Sequence, residues 1–492
     1  MTAWDRYVTL AQELADIRGI MGLLQWDQQV GLPSEGAGSR ASQLAWATSL
    51  YHQRVTSNEL SDLVQELLTT ERPAAELAGL RVLATRIRRS ARVPASLVRD
   101  LSMANAEAFA TWMQAREADD PAPYLPSLRK VFDLTRAKAE ALDPDAHPYD
   151  ALLGDYDPSV SVDWLRPAFH KLDLGLRDLL AAVREAEQLP ALSGRWDLAA
   201  QQALHEDVVT AIGYRMEAGG LSFSEHPFTV GIAKGDVRIT THLYEHDLLH
   251  GLYASIHEAG HGIYEQGMPR ELPGAGIDEA ASVGLHESQS RFYENVLGRS
   301  PAFLGWLAGR MAHHLGTQAP SAEALHAAAM RVAPGEIRVT ADEVTYNLHV
   351  IIRFQLEVAL LEGSLSVDDL PAAWDDAYER SLGLRPSSPK QGVLQDVHWS
   401  QGAIGYFPSY TLGNLASASM RWTMEEAMPS MWDDVAKGDF GPVLAWLGEH
   451  VHSRGRVREA DDLLRDVVGD RDPTADLLEH LWDRYGTAYG VR

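Results

Sequence analysis

The stretch Ser255-Ile256-His257-Glu258-Ala259-Gly260-His261-Gly262 constrains this chain more than any other. It contains His-Glu-x-x-His. Placed on an α-helix, His257 and His261 leave the same face one turn apart, where two neutral imidazoles can hold one zinc ion. Glu258 is rotated by about 100° from His257, beside the ligands and not among them, where a general base for a metal-activated water stands. The bland alternative is a solvated helix with two surface histidines, and it asks for no third ligand. From Tyr244 to Gln266 there is no proline, and Leu248, Leu249, Leu252, Ile256, Ile263 and Tyr264 recur near helical spacing. Gly267-Met268-Pro269 then ends the helix.

The chain has no cysteine, so metal ligands must be His, Asp or Glu. After the breaker-rich Pro273-Gly274-Ala275-Gly276, the segment from Asp278 to Leu297 reads as a second helix carrying Asp278, Glu279, Glu287 and Glu294. Glu287 is the expected third ligand. Its face also carries Ala280, Val283 and Gly284, which let two helices approach closely, with Gly284 nearly one turn before it. Asp278 and Glu279 sit at the helix start, where acids favour the macrodipole for structural reasons alone. Two His and one Glu leave a coordination position open, the mark of a catalytic zinc site. His286 points away from Glu287 and reads as a packing or supporting residue.

The chain of 492 residues carries 69 acidic against 43 basic side chains, a net charge of −26. That balance disfavours nucleic acid and anionic membrane as partners. No apolar run approaches the roughly 18 residues of a membrane span, and the start Met-Thr-Ala-Trp-Asp-Arg has no signal-peptide pattern. The expected location is cytoplasmic.

The expected fold is mainly α, a large helical protein with a small β element beside the zinc helix. Helical patterns run from Trp4 to Leu24, Arg40 to Arg54, Glu59 to Thr70, Ala74 to Arg92, Pro94 to about Arg116, Pro126 to Leu142 and Val162 to Gln188. Trp26 to Pro33 reads as an interruption and Asp143 to Pro158 as a loop. Val237 and Ile239 alternate with Arg238 and Thr240 as a short strand, expected to be an edge that aligns substrate. Further helices are expected from Ala302 to Leu315, Ala322 to Val332, Asp342 to about Glu362 and Asp368 to Gly383. Glu336 to Thr340 reads as β-like, and helical pattern resumes at Asn414. The segment Gly392 to Gly413 is too polar and aromatic for a linker. With no Ser- or Pro-rich linker, residues 1–492 read as a single domain around a cleft.

Several separated motifs, in order, resemble the zinc metallocarboxypeptidases of the carboxypeptidase Taq family. They are His226-Pro227-Phe228, Asp236-Val237-Arg238-Ile239-Thr240, His257-Glu258-Ala259-Gly260-His261 and His286-Glu287-Ser288-Gln289. Ile337-Arg338-Val339-Thr340-Ala341-Asp342 and Gly392-Val393-Leu394-Gln395-Asp396-Val397-His398-Trp399 follow, and the early Trp26-Asp27-Gln28 also matches. The resemblance spans nearly the whole chain, with no departure at the metal or base positions. It implies a mostly α-helical fold with a long substrate groove, release of single residues from peptide C-termini with broad specificity, one zinc or sometimes cobalt ion per chain, and a homodimer.

On this reading His257, His261 and Glu287 hold the metal and Glu258 moves the proton. Tyr406, Tyr410 and His398 are candidates to stabilise the oxyanion, a role worth about 2.7–4 kcal/mol when one such donor is removed. A terminal carboxylate calls for a guanidinium. Arg338 is the first choice and Arg238 the second, each weighed against a structural ion pair, for Arg238 with Asp236 or Asp342. Asp236 and Thr240 organise the strand, and His226 is a candidate to bond substrate. Glu265 receives no role beyond support of His261. The competing readings are a zinc endopeptidase, a dipeptide-releasing carboxypeptidase with the same metal site, and a catalytically inert helical scaffold. The last has no need of Glu258.

Overall fold

Short polar side chains set where the helices begin. Thr2 accepts from the Asp5 N–H while Asp5 accepts from the Thr2 N–H, a capping box that opens the helix Ala3–Val30. Ser57, Asp197, Asp247, Ser282 and Asp342 cap later helices more simply, each side chain accepting from an N–H that the first turn leaves unpaired. The computed structural model describes residues 1–269, 274 and 276–492. Those residues are mainly helical, with one small three-stranded sheet. No helix among them is long and apolar enough to cross a membrane.

Two compact units are built from alternating stretches of the chain. The first comprises Met1–Ser90, Pro190–Ala329 and Ala416–Arg471; the second comprises Ala91–Leu189, Met330–Leu415 and Asp472–Arg492.

In the first unit, Tyr7, Leu10 and Leu14 bury one stripe of the first helix against Val55, Leu60, Val64, Leu80 and Leu83. The same helix lies against the sheet. A Cβ at Gly19 would sit 2.3 Å from the Ile232 carbonyl oxygen, so only glycine permits that approach. The helix continues through the expected interruption at Trp26 and stops at Gly31, because Leu32-Pro33 cannot extend it. Strands β1 (Gly219–Phe223), β2 (Thr229–Ala233) and β3 (Asp236–Thr241) form the sheet in the order β1-β3-β2, β3 pairing parallel with β1 and antiparallel with β2. The strand expected at an edge is thus central. Its partner β1 is reached by a crossover that local alternation does not reveal.

Against the sheet packs the helix Leu248–Gly267, capped by Asp247 rather than starting at Tyr244. A second helix, Val283–Arg291, runs directly into a π-helical turn, Phe292–Leu297. It starts at its cap Ser282, so Asp278 and Glu279 precede it. Glu279 instead pairs with Arg18 and Arg86. In the run Pro273 to Gly276, Pro273 and Ala275 lie outside the described residues.

In the second unit, the helices Val162–Glu185 and Glu343–Glu362 pack together, with Phe354 edge-on to Tyr149 and Phe169. Three local expectations differ there. Pro148–Leu153 forms a short helix inside the expected loop, started by Pro148 and by the His147 side chain accepting from the Tyr149 N–H. Arg338–Thr340 is a 3-10 turn and not a strand, because Arg338 is turned inward to Asp396 and no strand lies alongside. The helix expected from Asn414 begins at Pro408, where proline's fixed φ suits a first turn.

Candidate active site

The helix Leu248–Gly267 presents two different stripes. His257 and His261 form one. Ser255, Glu258, Gly262 and Glu265, spaced three, four and three apart, form the other and face the sheet. There the Ser255 hydroxyl donates to Thr241 Oγ1 at 2.6 Å, and the Thr229 hydroxyl donates to Glu258 Oε2 at 2.6 Å. Gly262 admits Ile239, whose Cγ2 lies 3.1 Å from where a Cβ would stand. Glu265 Oε2 fills the space left by Gly231, 2.3 Å from where that residue's Cβ would be.

The helix carrying Glu287 meets the His stripe at a point set by Gly260. A Cβ there would stand 2.7 Å from Ser290 Cα and 2.8 Å from the Gln289 carbonyl oxygen. Helix contact at this separation brings Glu287 Oε2 to 3.7 Å from His257 Nε2 and 3.3 Å from His261 Nε2. Donor atoms bonded to one tetrahedral zinc at 2.0–2.1 Å lie about 3.3 Å apart, close to these two separations, and all three donor atoms lie within 4.8 Å of one another. His257, His261 and Glu287 form the one cluster of this kind among the described residues.

The surroundings prepare these donors. His257 Nδ1 lies 2.8 Å from Glu294 Oε2. A carboxylate can only accept, so Nδ1 carries the proton and Nε2 keeps its lone pair for a metal. Arg291 donates to Glu287 Oε1 at 2.6 Å and to Glu294 Oε2 at 3.2 Å. Burial opposes ionisation of Glu287 and Glu294, but Arg291 and the nearby histidines outweigh it and hold both well below the usual carboxylate range. Burial lowers the His257 pKa, yet Glu287 and Glu294 raise it to a net value above the ordinary one. His261 is pushed down to about 3, by burial and then by His286, and stays neutral, as a ligand must. Among the described residues His261 Nδ1 has no hydrogen-bond partner. Its ring is steadied by stacking on His286 at 4.3 Å, and His286 Nε2 lies 3.1 Å from Glu265 Oε1. Burial raises the pKa of Glu258.

The other expected site residues fall in two groups. In the first unit Arg238 forks onto Asp236 at 2.8 and 2.9 Å and stacks over Trp26 at 4.5 Å. Thr240 is fully buried and accepts from the Phe228 N–H and the Ser224 hydroxyl, so Asp236 and Thr240 both act within the sheet. His226 is exposed in the loop before β2.

In the second unit Arg338, His398, Tyr406 and Tyr410 come together. Arg338 donates through Nε and Nη2 to Asp396 Oδ1 and through Nη1 to the Tyr346 hydroxyl, and it lies 5.0 Å from the Tyr410 ring. His398 Nε2 is 3.2 Å from the Tyr410 hydroxyl, and the Tyr406 ring lies edge-on to Tyr410 at 5.3 Å. Burial, outweighing Asp396, lowers His398 to about 4. Arg353, fully buried, also pairs with Asp396.

Reading the sequence overlooked the roles of Glu294, Arg291 and Thr229. Arg291 and Glu294 follow Glu287 by four and seven residues, on its own face of the helix, and that spacing is the signal that could have found them. Thr229 has no comparable signal, since its contact is made between the sheet and a helix distant from it in sequence.

A family model described as Carboxypeptidase Taq (M32) metallopeptidase matches residues 6–485. The chain is 36% identical to thermostable carboxypeptidase 1 of Thermus thermophilus, over 99% of each chain. It is 30% identical to carboxypeptidase 1 of Bacillus subtilis, over 98% of each. Among solved structures, the M32 carboxypeptidase from Deinococcus radiodurans superposes with a TM-score of 0.98 at 35% identity, covering 100% of both chains.

Proposed function

Because the chain belongs to the carboxypeptidase Taq (M32) family and is a metallocarboxypeptidase with a His257, His261 and Glu287 metal group, we propose that it releases single residues from peptide C-termini with broad specificity, using zinc as the resident ion and Glu258 as the base. The observation that carries the metal-dependent chemistry is the donor set itself: two imidazole nitrogens 3.7 and 3.3 Å from one carboxylate oxygen, with Glu258 one position away. Nitrogen and oxygen donors of this kind suit zinc and accept cobalt. When bound, the ion supplies Lewis acidity, polarising the scissile carbonyl and acidifying a water.

The chain's own residues do the rest. Glu258 takes the proton of the attacking water and returns it to the leaving amine. Glu294 and Arg291 keep His257 and Glu287 in position. β2 is the strand that we read as aligning substrate. Phe228 accepts from the Thr240 N–H at 2.9 Å, so the next pair, Thr229 and Ile239, is the non-bonded one, and the backbone groups of Thr229 point away from β3. A peptide can add to them.

Arg338 is the cation proposed for the substrate carboxylate. Three of its five N–H groups are taken by Asp396 and Tyr346, which leaves two to offer. Arg238 has its fork on Asp236 and is the weaker choice. Tyr406, Tyr410 and His398 remain the proposed oxyanion donors. We also propose that residues 1–492 work as one domain, that the enzyme is a homodimer, and that it acts in the cytoplasm, a reducing compartment that a chain without cysteine, and so without disulfides, fits.

Replacing Glu258 by Gln tests the assignment of the base. Turnover is expected to fall by at least a thousandfold while one metal ion per chain remains bound. Retained turnover would refute it.

A further inference from the structure

Among the described residues, the Thr229 side chain is the hydrogen-bond partner of the Glu258 carboxylate. Thr229 lies on β2, on the face turned to the helix Leu248–Gly267, and donates its hydroxyl to Glu258 Oε2 at 2.6 Å. The same hydroxyl also lies within donating distance of the Glu258 carbonyl oxygen, at 3.0 Å, so its one proton sits between two acceptors of that residue with the carboxylate oxygen the nearer. The contact spans the helix–sheet interface and is fixed from both sides. On the helix side, Ser255 is tied to Thr241 and Gly262 is closed onto Ile239. On the sheet side, Thr229 is paired with Ile239 in the register, and Gly19 and Gly22 of the first helix back the same strand at Ile232 and Val230.

We infer that Thr229 is a positioning residue for the general base. Glu258 is buried, with 8% of its surface exposed, and a carboxylate there has two oxygens that could turn toward the reacting water. The Thr229 hydroxyl occupies one of them and fixes the χ angles of the side chain. Oε1 is thereby left as the oxygen that faces the water. A hydroxyl suits the task because it donates one hydrogen bond without adding a charge that would neutralise the base. The strand supplies the rigidity, since a β-branched residue in a strand is restricted at χ1. The alternate residue Gly231 has the complementary role of leaving room for Glu265, so one strand face serves the helix at two points.

This inference rests on the reading of Glu258 as base, and the test separates the two. Thr229→Val keeps the shape and removes the hydroxyl; Thr229→Ser keeps the hydroxyl. In the zinc-loaded enzyme acting on an N-blocked peptide, Thr229→Val is expected to lower kcat by about 10–100-fold with little change in KM, and Thr229→Ser to keep kcat within a few-fold. Affinity for zinc, measured by competition with a chelator, is expected to be unchanged in both. Thr229→Ala serves if the valine variant does not fold, with the same kcat loss expected. Against a Glu258→Gln background the Thr229→Val effect is expected to vanish. Unchanged kcat in the valine or alanine variant, failure of serine to restore it, a parallel loss of zinc, or an undiminished effect in the Glu258→Gln background would each overturn the role of Thr229. Full activity of Glu258→Gln alone would instead overturn the reading of the base.

Discussion

His257 and Glu294 show how much a single hydrogen bond decides. Donation from Nδ1 to Glu294 at 2.8 Å fixes the tautomer that leaves Nε2 for a metal. Glu294→Ala is therefore expected to weaken metal binding by about 10–100-fold while leaving the fold intact, a change readable by chelator competition. Glu287→Ala removes a ligand and is expected to abolish stoichiometric binding. The pattern His257, Glu258, His261 was legible in the sequence because helix periodicity dictates which side chains share a face. Glu287 was legible as the acid placed in the interior of the next helical stretch. The supporting contacts of Thr229 and Gly231 were not, because no local spacing relates β2 to a helix that starts fifteen residues after it.

Between helices, the decisive position is Gly260. Gly→Ala within a helix ordinarily gains up to about 1 kcal/mol. Here the new Cβ would stand 2.7 and 2.8 Å from backbone atoms of Ser290 and Gln289, which cannot rotate aside. The steric cost outweighs the propensity gain, and Gly260→Ala is expected to destabilise by about 1–3 kcal/mol and to loosen the metal site by displacing Glu287. Thermal denaturation with and without zinc checks both effects. The sequence pattern drew attention to Gly284, on the partner helix. It had no means of showing that the close backbone approach falls at Gly260, since contact points between helices depend on rotation and crossing angle. The same limit hid the place of β3, whose alternation announced a strand but could not tell centre from edge.

For the molecule as a whole, helical content and the metal pair were readable from periodicity, whereas the division into two units was not. Each unit draws on three separated segments, and no linker composition marks where the chain leaves one for the other. The second unit contains Asp396, which pairs with two buried guanidinium groups, Arg338 and Arg353. Burial opposes its ionisation, but the two arginines outweigh it and hold its pKa well below the ordinary 3.8. A group depressed in this way stabilises the fold above its unfolded value and loses that contribution as pH falls toward the folded one. Asp396→Asn is accordingly expected to cost about 3–5 kcal/mol at neutral pH by leaving the arginines unpaired. The gap from the parent protein is expected to narrow as pH drops below about 4, as followed by urea denaturation. The central claim, a metal-dependent carboxypeptidase, is tested most directly by following an N-blocked peptide by mass spectrometry with the zinc-loaded protein, then with chelator. Stepwise loss of single C-terminal residues that chelator stops is the predicted result. Internal cleavage, release of dipeptides, or shortening that continues without metal would contradict it.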